Sequence, residues 1–443
     1  MKIQLSDHFT YYRLLRFILP SVVMMVFTSI YSVVDGLFVS NFVGKAPFAA
    51  LNLVYPVIMG LGALGFMIGT GGCAIVSKTM GEGDMEGANQ SFSMLVYVTI
   101  FSGLVLTALG EVFLRPVVLF LGAQGTMVDD CLLYGRIVLA AQTAFMLQNV
   151  FQSFCVAAER PKLGLAIMVA AGVANMTLDF LFIAVFDWGL AGAALATALS
   201  QVTGGIIPLL YFAWPNQSPL RLVPARLRLL VLWKTCTNGS SELMTNLSNS
   251  VVNILYNFQL LRLTGEDGVA AFGVIMYVNF IFNAIFFGYS IGSGPIIAFH
   301  YGARNHSELK NLFRESMVFT AVSGIAMTAL GVALARPLAA IFVGYEARLM
   351  DTTCRGLGLY ALSFLFAGFN VFGSAFFTAL NNGAVSAVIS FLRTLVFQTA
   401  AVLLLPLLLG LDGIWLAMAA AELLALAVTA LFLLWGRNIY QYG

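Results

Sequence analysis

Carboxylates inside long apolar stretches are the residues of this sequence best suited to do chemistry. Most of its 20 acidic residues stand in polar breaks or at the ends of apolar stretches. Asp35, Asp179 and Glu422 fall within such stretches, and Glu242 lies near the start of another. An ionised carboxylate at the centre of a bilayer costs at least about 2.5 kcal/mol, so such residues face a cavity and mark ion or proton pathways. We therefore treat Asp35 and Asp179 as the main candidates and Glu242 and Glu422 as secondary ones.

Polar partners accompany two of these acids. Asn175 stands four residues before Asp179, and Tyr31 stands four residues before Asp35, so each pair shares one face of a helix. Thr197 follows a run of small residues that allows close packing against the preceding span. These side chains could bind Na⁺ through two carboxyls, an amide, a hydroxyl and a phenol. Alternatively, they form a proton-binding site in which one aspartate keeps its proton. The alternative is hydrogen bonding between helices with no ion.

The composition indicates that these residues lie in a membrane protein. The chain is 60% hydrophobic and 9% charged, with a mean hydropathy of +0.92, whereas soluble domains carry about 25% charged residues. Apolar stretches of roughly 20 residues or more, each able to cross a hydrocarbon core of about 30 Å, recur between short polar breaks. They predict twelve spans: 14–41, 48–77, 91–113, 131–157, 163–186, 189–213, 236–261, 269–299, 315–335, 356–380, 384–409 and 412–436.

The sequence repeats itself at an offset of 221 residues. Arg115-Pro116 recurs as Arg336-Pro337, and Gly189 recurs as Gly410, with no slip of register between them. We predict an all-α fold of two pseudo-symmetric lobes of six spans, related by an axis along the membrane normal. The N-lobe is residues 1–213, a cytoplasmic linker is 214–235, and the C-lobe is 236–443. At this offset, four of the polar N-lobe candidates correspond to Tyr256, Val396, Ala400 and Met418. We therefore predict that the C-lobe presents an uncharged wall at the equivalent place.

Charge and cysteine distribution narrow the function further. With the N-terminus in the cytoplasm, about 14 basic residues fall on the inner side and about six on the outer side, as the positive-inside rule requires. The basic residues thus orient the chain in the membrane, and we expect no nucleic-acid partner. The five cysteines lack metal-ligand spacing, so we expect no metal site beyond a Na⁺ at Asp35 and Asp179, and no cofactor.

Several motifs together resemble one transporter family. The run from Asn175 to Thr197, NMTLDFLFI and then GLAGAALAT, is similar to the fifth and sixth helices of MATE (multidrug and toxic compound extrusion) transporters. SVVDGLFVS around Asp35 resembles the family's first-helix aspartate motif, and Arg393 and Glu422 stand in segments most similar to the MepA-like branch. This family belongs to the MOP flippase superfamily.

The resemblance implies an antiporter, not an enzyme, that exports lipophilic and cationic compounds across the plasma membrane against an inward H⁺ or Na⁺ gradient. It implies that Tyr31, Asp35, Asn175, Asp179 and Thr197 form a cation site in the N-lobe. A second branch carries a glutamate deep in the seventh helix, whereas Glu242 lies near the predicted start of that span. The candidate substrate-binding residues are Gln148, Gln152, Ser200, Met276, Tyr277 and Phe280.

We also expect multi-pass insertion with both termini in the cytoplasm, contact with lipid, and a monomer. A flippase for lipids or lipid-linked oligosaccharides, from the same superfamily, is the alternative function. It needs a strongly cationic cavity, which Arg136 and Arg393 barely provide. An intramembrane enzyme or a receptor is disfavoured, because the spans hold no Ser/His or metal-ligand constellation.

Overall fold

The described chain is built from helices that succeed one another through short turns. The structure, a computed structural model, describes residues 3–43, 45–343 and 346–443; Lys2, one of the basic residues counted above, lies outside these ranges. Within them the α-helices are α1 Tyr11–Phe42, α2 Lys45–Gly81, α3 Met85–Phe120, α4 Thr126–Ala140, α5 Gln142–Ala157, α6 Pro161–Asp179, α7 Gly189–Ala213, α8 Leu229–Thr264, α9 Glu266–Gly302, α10 His306–Ala333, α11 Ala335–Val343, α12 Ala347–Tyr360, α13 Phe364–Ala379, α14 Gly383–Phe391, α15 Gln398–Leu409 and α16 Leu411–Tyr440.

Ten helical segments of the described chain are long and apolar enough to cross a membrane, when Pro161–Val185, Ala347–Ala379 and Gly383–Leu409 are each taken as one segment through a short π or 3-10 turn. The bent pair α4–α5 raises the number to eleven. The bend corrects the prediction of a continuous fourth span: α4 and α5 meet at 53° around Ala141. The predicted seventh span lies within α8, which has 36 residues but is too polar to pass the same test. The chain is therefore a multi-span membrane protein, while the number twelve stays a prediction by this criterion.

The two predicted lobes meet along four helices in a reciprocal arrangement. Helix α1 of the N-lobe packs along α9 of the C-lobe, and α2 packs along α8. Glycines allow the second crossing, because a Cβ on Gly71 would collide with the carbonyl oxygen of Thr235, and one on Gly239 with that of Met67. Such small residues let helix backbones approach closely.

One end of this interface is sealed. At the ends of α2 and α9, a Cβ on Gly81 would strike the Phe299 carbonyl. The segment before α1 also bridges the lobes, because the Leu5 amide donates to Glu159 Oε1 at 3.0 Å and the Phe9 amide to Glu308 Oε1 at 2.9 Å. Leu5 and Phe9 are fully buried, so space between the lobes is closed on this side.

The repeat is visible in the turns that follow α2 and α9. Asp84 caps α3 by accepting from the Gly87 amide at 2.8 Å, and its counterpart Asn305 caps α10 by accepting from the Glu308 amide at 3.2 Å. The residue before each cap has a positive φ, 86° at Gly83 and 54° at Arg304. Both turns thus start the next helix in the same way.

Candidate functional site

The two candidate aspartates of the N-lobe lie next to each other. Asp35 is in α1 and Asp179 is the last residue of α6, followed by a π-helical turn, Phe180–Val185. The two side chains interact electrostatically, and Asp179 is fully buried. Neither Asp179 oxygen has a hydrogen-bond partner among the described residues. Since buried polar atoms are nearly always satisfied, this pair has capacity for a ligand.

Close packing of α6 on α1 brings these carboxyls together. Gly172, two helical turns before Asp179, faces Phe27 and Tyr31 of α1. A Cβ there would lie 2.5 Å from Phe27 Cε1 and 3.0 Å from Tyr31 Cδ1, too close for another side chain. The glycine therefore sets the separation of the two helices that carry the acids.

Phenols interact with the acid pair, and an amide and a hydroxyl stand on the same helices or beside one of the phenols. Asn175 is buried one turn before Asp179, and Tyr31 interacts with Asp35 and with Gln148. Sequence reasoning missed Tyr134, which is buried in α4 and interacts with both acids and with the Thr197 hydroxyl, and also Tyr55 of α2. No spacing in the sequence links these tyrosines to α1 or α6, so no sequence signal was available.

The acid pair has no basic partner in the part of the chain that is described: neither carboxyl takes part in an ion pair there. Two adjacent carboxylates repel each other, and a proton or a monovalent cation held between them relieves that repulsion. The described residues contain no group of three or more His, Cys, Asp or Glu side chains that could hold a metal ion. The oxygens at hand are those of two carboxyls, an amide, a hydroxyl and phenols.

A cavity of about 390 Å³ lies between the lobes. Of the predicted substrate-binding residues, Gln152, Met276 and Phe280 line it. Gln148 lines a separate cavity of about 10 Å³ in the N-lobe. Ser200 is buried and Tyr277 is half-buried, and neither is among the described lining residues of the two cavities; nor are Asp35 and Asp179.

The buried acid of the C-lobe is fully paired. Glu422 in α16 accepts from Arg393 Nε at 2.8 Å and from its Nη2 at 2.8 Å, and it accepts from Asn370 Nδ2 at 2.7 Å. Thr429 Oγ1 in turn donates to Asn370 Oδ1 at 2.8 Å. Arg393 lies in a π-helical turn, Leu392–Phe397, and also lines the cavity. A buried charge that is paired and hydrogen-bonded in this way serves the structure.

Comparison with known proteins decides the family. The MatE sequence profile matches residues 20–181 and 243–403. The chain belongs to the MatE family. It is a membrane transporter and not an enzyme.

Relatives and solved structures agree with this family assignment. The multidrug export protein MepA of Staphylococcus saprophyticus is 22% identical over 365 residues, 80% of each chain. A crystal structure of MATE in complex with MaL6 superposes with a TM-score of 0.92 at 23% identity, over 98% of this chain and 97% of the other. An outward-facing MATE transporter of the MOP superfamily gives 0.90 at 24%, over 97% and 95%. The MATE-type fold predicted from the sequence is thereby confirmed.

In this MatE protein the four C-lobe counterparts at the 221-residue offset are uncharged, but two charged residues of the C-lobe stand elsewhere on the cavity wall. Tyr256 and Met418 do line the cavity, but Glu242 and Arg393 line it too. Helix α8 begins at Leu229, seven residues before the predicted span, so Glu242 lies more than three turns inside it. The second arginine within a predicted span, Arg136, pairs with Glu111 at 3.6 Å, and both side chains are partly exposed.

Proposed function

We propose that this MatE protein is an antiporter that exports organic compounds, many of them lipophilic cations, in exchange for H⁺ or Na⁺ that enters down its gradient. The coupling ion binds at Asp35 and Asp179, with Tyr31, Asn175 and Thr197 around it. The observation that carries the proposal is the pair of adjacent acids, Asp179 fully buried and Asp35 half-buried, without a basic partner among the described residues. Coupling requires that the ion bind with different affinities to the different conformations of the transporter. An ion that neutralises this acid pair meets that requirement.

A chain of contacts joins this acid pair to the cavity. Tyr31 interacts with both Asp35 and Gln148. One turn along α5, Gln152 donates from Nε2 to Met25 Sδ at 2.8 Å, and Gln152 and Met25 both line the cavity. Ion binding that moves Tyr31 would therefore change the cavity wall through Gln148 and Gln152, so ion and substrate compete.

The substrate class is proposed from the similarity to MepA, and the orientation from the distribution of basic residues. MepA is named a multidrug export protein, and by likeness we assign the same class of organic substrates here. By the positive-inside rule we propose that both termini lie in the cytoplasm. We also propose that the chain lies in the plasma membrane and works as a monomer. Cysteines placed at the offset pair Glu82 and Ala303 should then react with an impermeant thiol reagent from the cytoplasmic side alone.

A flippase for lipid-linked oligosaccharides fits the cavity poorly. Among the described residues that line the cavity, Arg393 is the one basic side chain, and Glu422 neutralises it. A pyrophosphate would meet no free positive charge on those residues, and Glu242, when ionised, would repel it.

Transport in proteoliposomes tests the proposal. Na⁺ and pH gradients are imposed separately, and efflux of a fluorescent organic cation such as ethidium is followed. We expect one gradient to drive efflux in the wild type and neither to do so in Asp35→Asn or Asp179→Asn. Asp129→Asn, at an exposed acid in the first turn of α4, is the matched control. Full efflux by both aspartate variants would refute the N-lobe coupling site.

A further inference from the structure

Helix α8 has two faces with opposite chemistry. The face toward lipid carries large apolar side chains at spacings of four and three residues, each between 46% and 68% exposed: Leu247, Val251, Ile254, Phe258 and Leu261. The face toward the cavity carries polar side chains at the same alternating spacings, here called the α8 polar face: Glu242, Asn246, Asn249, Asn253 and Tyr256. This spacing keeps the five polar residues in one row about 21 Å long.

Three amides in one row are an unusual content for a membrane helix. Asn is a weak helix former, and a polar side chain in a bilayer needs a partner. Asn246 donates from Nδ2 to the Glu242 carbonyl oxygen at 2.8 Å. The side chains of Asn249 and Asn253 form no hydrogen bond with another described residue, although both line the cavity. Helix packing alone therefore does not account for them.

The neighbouring wall adds buried polar atoms that also lack partners. Tyr256 is 3% exposed and Asn283 of α9 is 8% exposed, and both line the cavity. The Tyr256 hydroxyl and Asn283 Oδ1 have no hydrogen-bond partner among the described residues, while Asn283 Nδ2 is bound to Asn279 Oδ1. Buried polar atoms of this kind are normally satisfied by water or by a ligand. The cavity wall thus offers donors and acceptors that a bound molecule can use.

Charge on this wall favours a cation. Glu242 makes no ion pair with a described basic residue, although it interacts electrostatically with Arg393, and Glu422 pairs with Arg393 at 2.8 Å. When Glu242 is ionised, the three groups carry one net negative charge, at the end of the row that begins with Glu242. Phe66, Phe272 and Phe287 line the same cavity and supply faces on which a flat ring can stack.

We propose that the α8 polar face selects organic cations that carry hydrogen-bonding groups along their length, such as aromatic compounds bearing an amino sugar, over purely hydrocarbon cations. The cationic nitrogen lies beside Glu242, and hydroxyl or carbonyl groups of the substrate bind Asn249 and Asn253. This inference rests on the proposed export function and adds the substrate class. A site with buried hydrogen-bonding groups discriminates strongly against a ligand that leaves those groups unpaired.

Two probes of contrasting chemistry test the proposal in proteoliposomes. Doxorubicin carries an amino sugar and several hydroxyls, whereas tetraphenylphosphonium has a delocalised charge and no hydrogen-bonding group. The test variant is Asn249→Leu with Asn253→Leu, which keeps side-chain size and removes both amides. We expect KM for doxorubicin to rise about tenfold, because one or two net hydrogen bonds are lost. KM for tetraphenylphosphonium should stay level or fall.

Matched variants separate recognition from folding. Val251→Leu with Ile254→Leu alters the lipid face of the same helix and should leave both KM values unchanged. Asn249→Gln with Asn253→Gln keeps the amides and should restore most of the preference for doxorubicin. Thermal unfolding of each purified full chain shows whether it is folded.

The outcomes distinguish the two proposals. If the wild type transports neither probe under either gradient, the export function itself is wrong. If it transports both and the leucine variant changes both KM values by the same factor, or changes neither, the α8 polar face does not select substrates and its amides serve only the packing and hydration of the helix.

Discussion

The two lobes treat a buried acid in opposite ways. In the N-lobe, Asp179 lies beside Asp35, and neither Asp179 oxygen has a hydrogen-bond partner in the described chain. In the C-lobe, Glu422 accepts from both Arg393 and Asn370. A π-helical turn stands at each place, directly after Asp179 and around Arg393.

Under the proposed function, this difference separates a group that exchanges an ion from one that is held in a fixed pair. A carboxylate that is already paired with a guanidinium has little to gain from Na⁺ or a proton, whereas an unpaired acid pair has much to gain. At the 221-residue offset, Asp35 corresponds to Tyr256 and Asp179 to Ala400. The equivalent positions of the repeat therefore differ, because the N-lobe carries acids there and the C-lobe does not, while the C-lobe presents a polar face to the cavity.

The largest effect is expected from Asp179→Asn. Gradient-driven efflux should fall to the level of protein-free liposomes, because the neutral amide cannot exchange a proton or balance Na⁺. Stability should change by no more than about 1 kcal/mol, since the one carboxyl oxygen that the amide nitrogen replaces makes no hydrogen bond to a described residue. Flux assays and thermal unfolding of the same preparation measure both. Efflux that persists at the wild-type rate would remove the contrast between the lobes.

The reverse result is expected from Glu422→Gln in the C-lobe. The change leaves the Arg393 guanidinium buried without its counter-charge, so the free energy of unfolding should fall by about 3–5 kcal/mol. Adding Arg393→Met should restore most of this loss, because the uncompensated charge is then removed. Chemical or thermal unfolding in detergent compares the single and double variants. A stable single variant with lost coupling would instead make Glu422 an ion-exchanging group.

The sequence predicted the helices well because apolar length and short polar breaks are local signals. The resemblance, carried by motifs around Asp35 and Asp179, predicted the family. Contacts between distant helices were not predictable: Arg393 and Glu422 are 29 residues apart, and no spacing reveals that they meet. The bend at Ala141 lacks a proline or glycine to announce it. By contrast, the alternating spacing of the α8 polar face can be read from the sequence, although Glu242 is the one member of that face among the predicted site residues.

An intermediate effect is expected in the response of the backbone to the coupling ion. Because the acid pair joins α1 and α6 and interacts through Tyr134 with Thr197 of α7, ion binding should slow hydrogen exchange in those three helices. Mass spectrometry with and without Na⁺, and across pH, measures it. The Asp179→Asn variant should show no ion-dependent change. Protection that changes only in α8 and α14–α16 would place the ion in the C-lobe.

The smallest effect is expected from Glu111→Gln. This change breaks the ion pair with Arg136, the second arginine that lies within a predicted span. Arg136 and Glu111 are 3.6 Å apart, with side-chain exposures of 58% and 35%, so water and lipid headgroups can solvate both partners. Exposed pairs of this kind contribute about 0–1 kcal/mol, and the free energy of unfolding should fall by less than about 1 kcal/mol. The same unfolding assay therefore ranks the two arginine–glutamate pairs by burial. A loss as large as that of Glu422→Gln would mean that Arg136 is buried in the membrane and that its pair, like the one in the C-lobe, holds the lobe together.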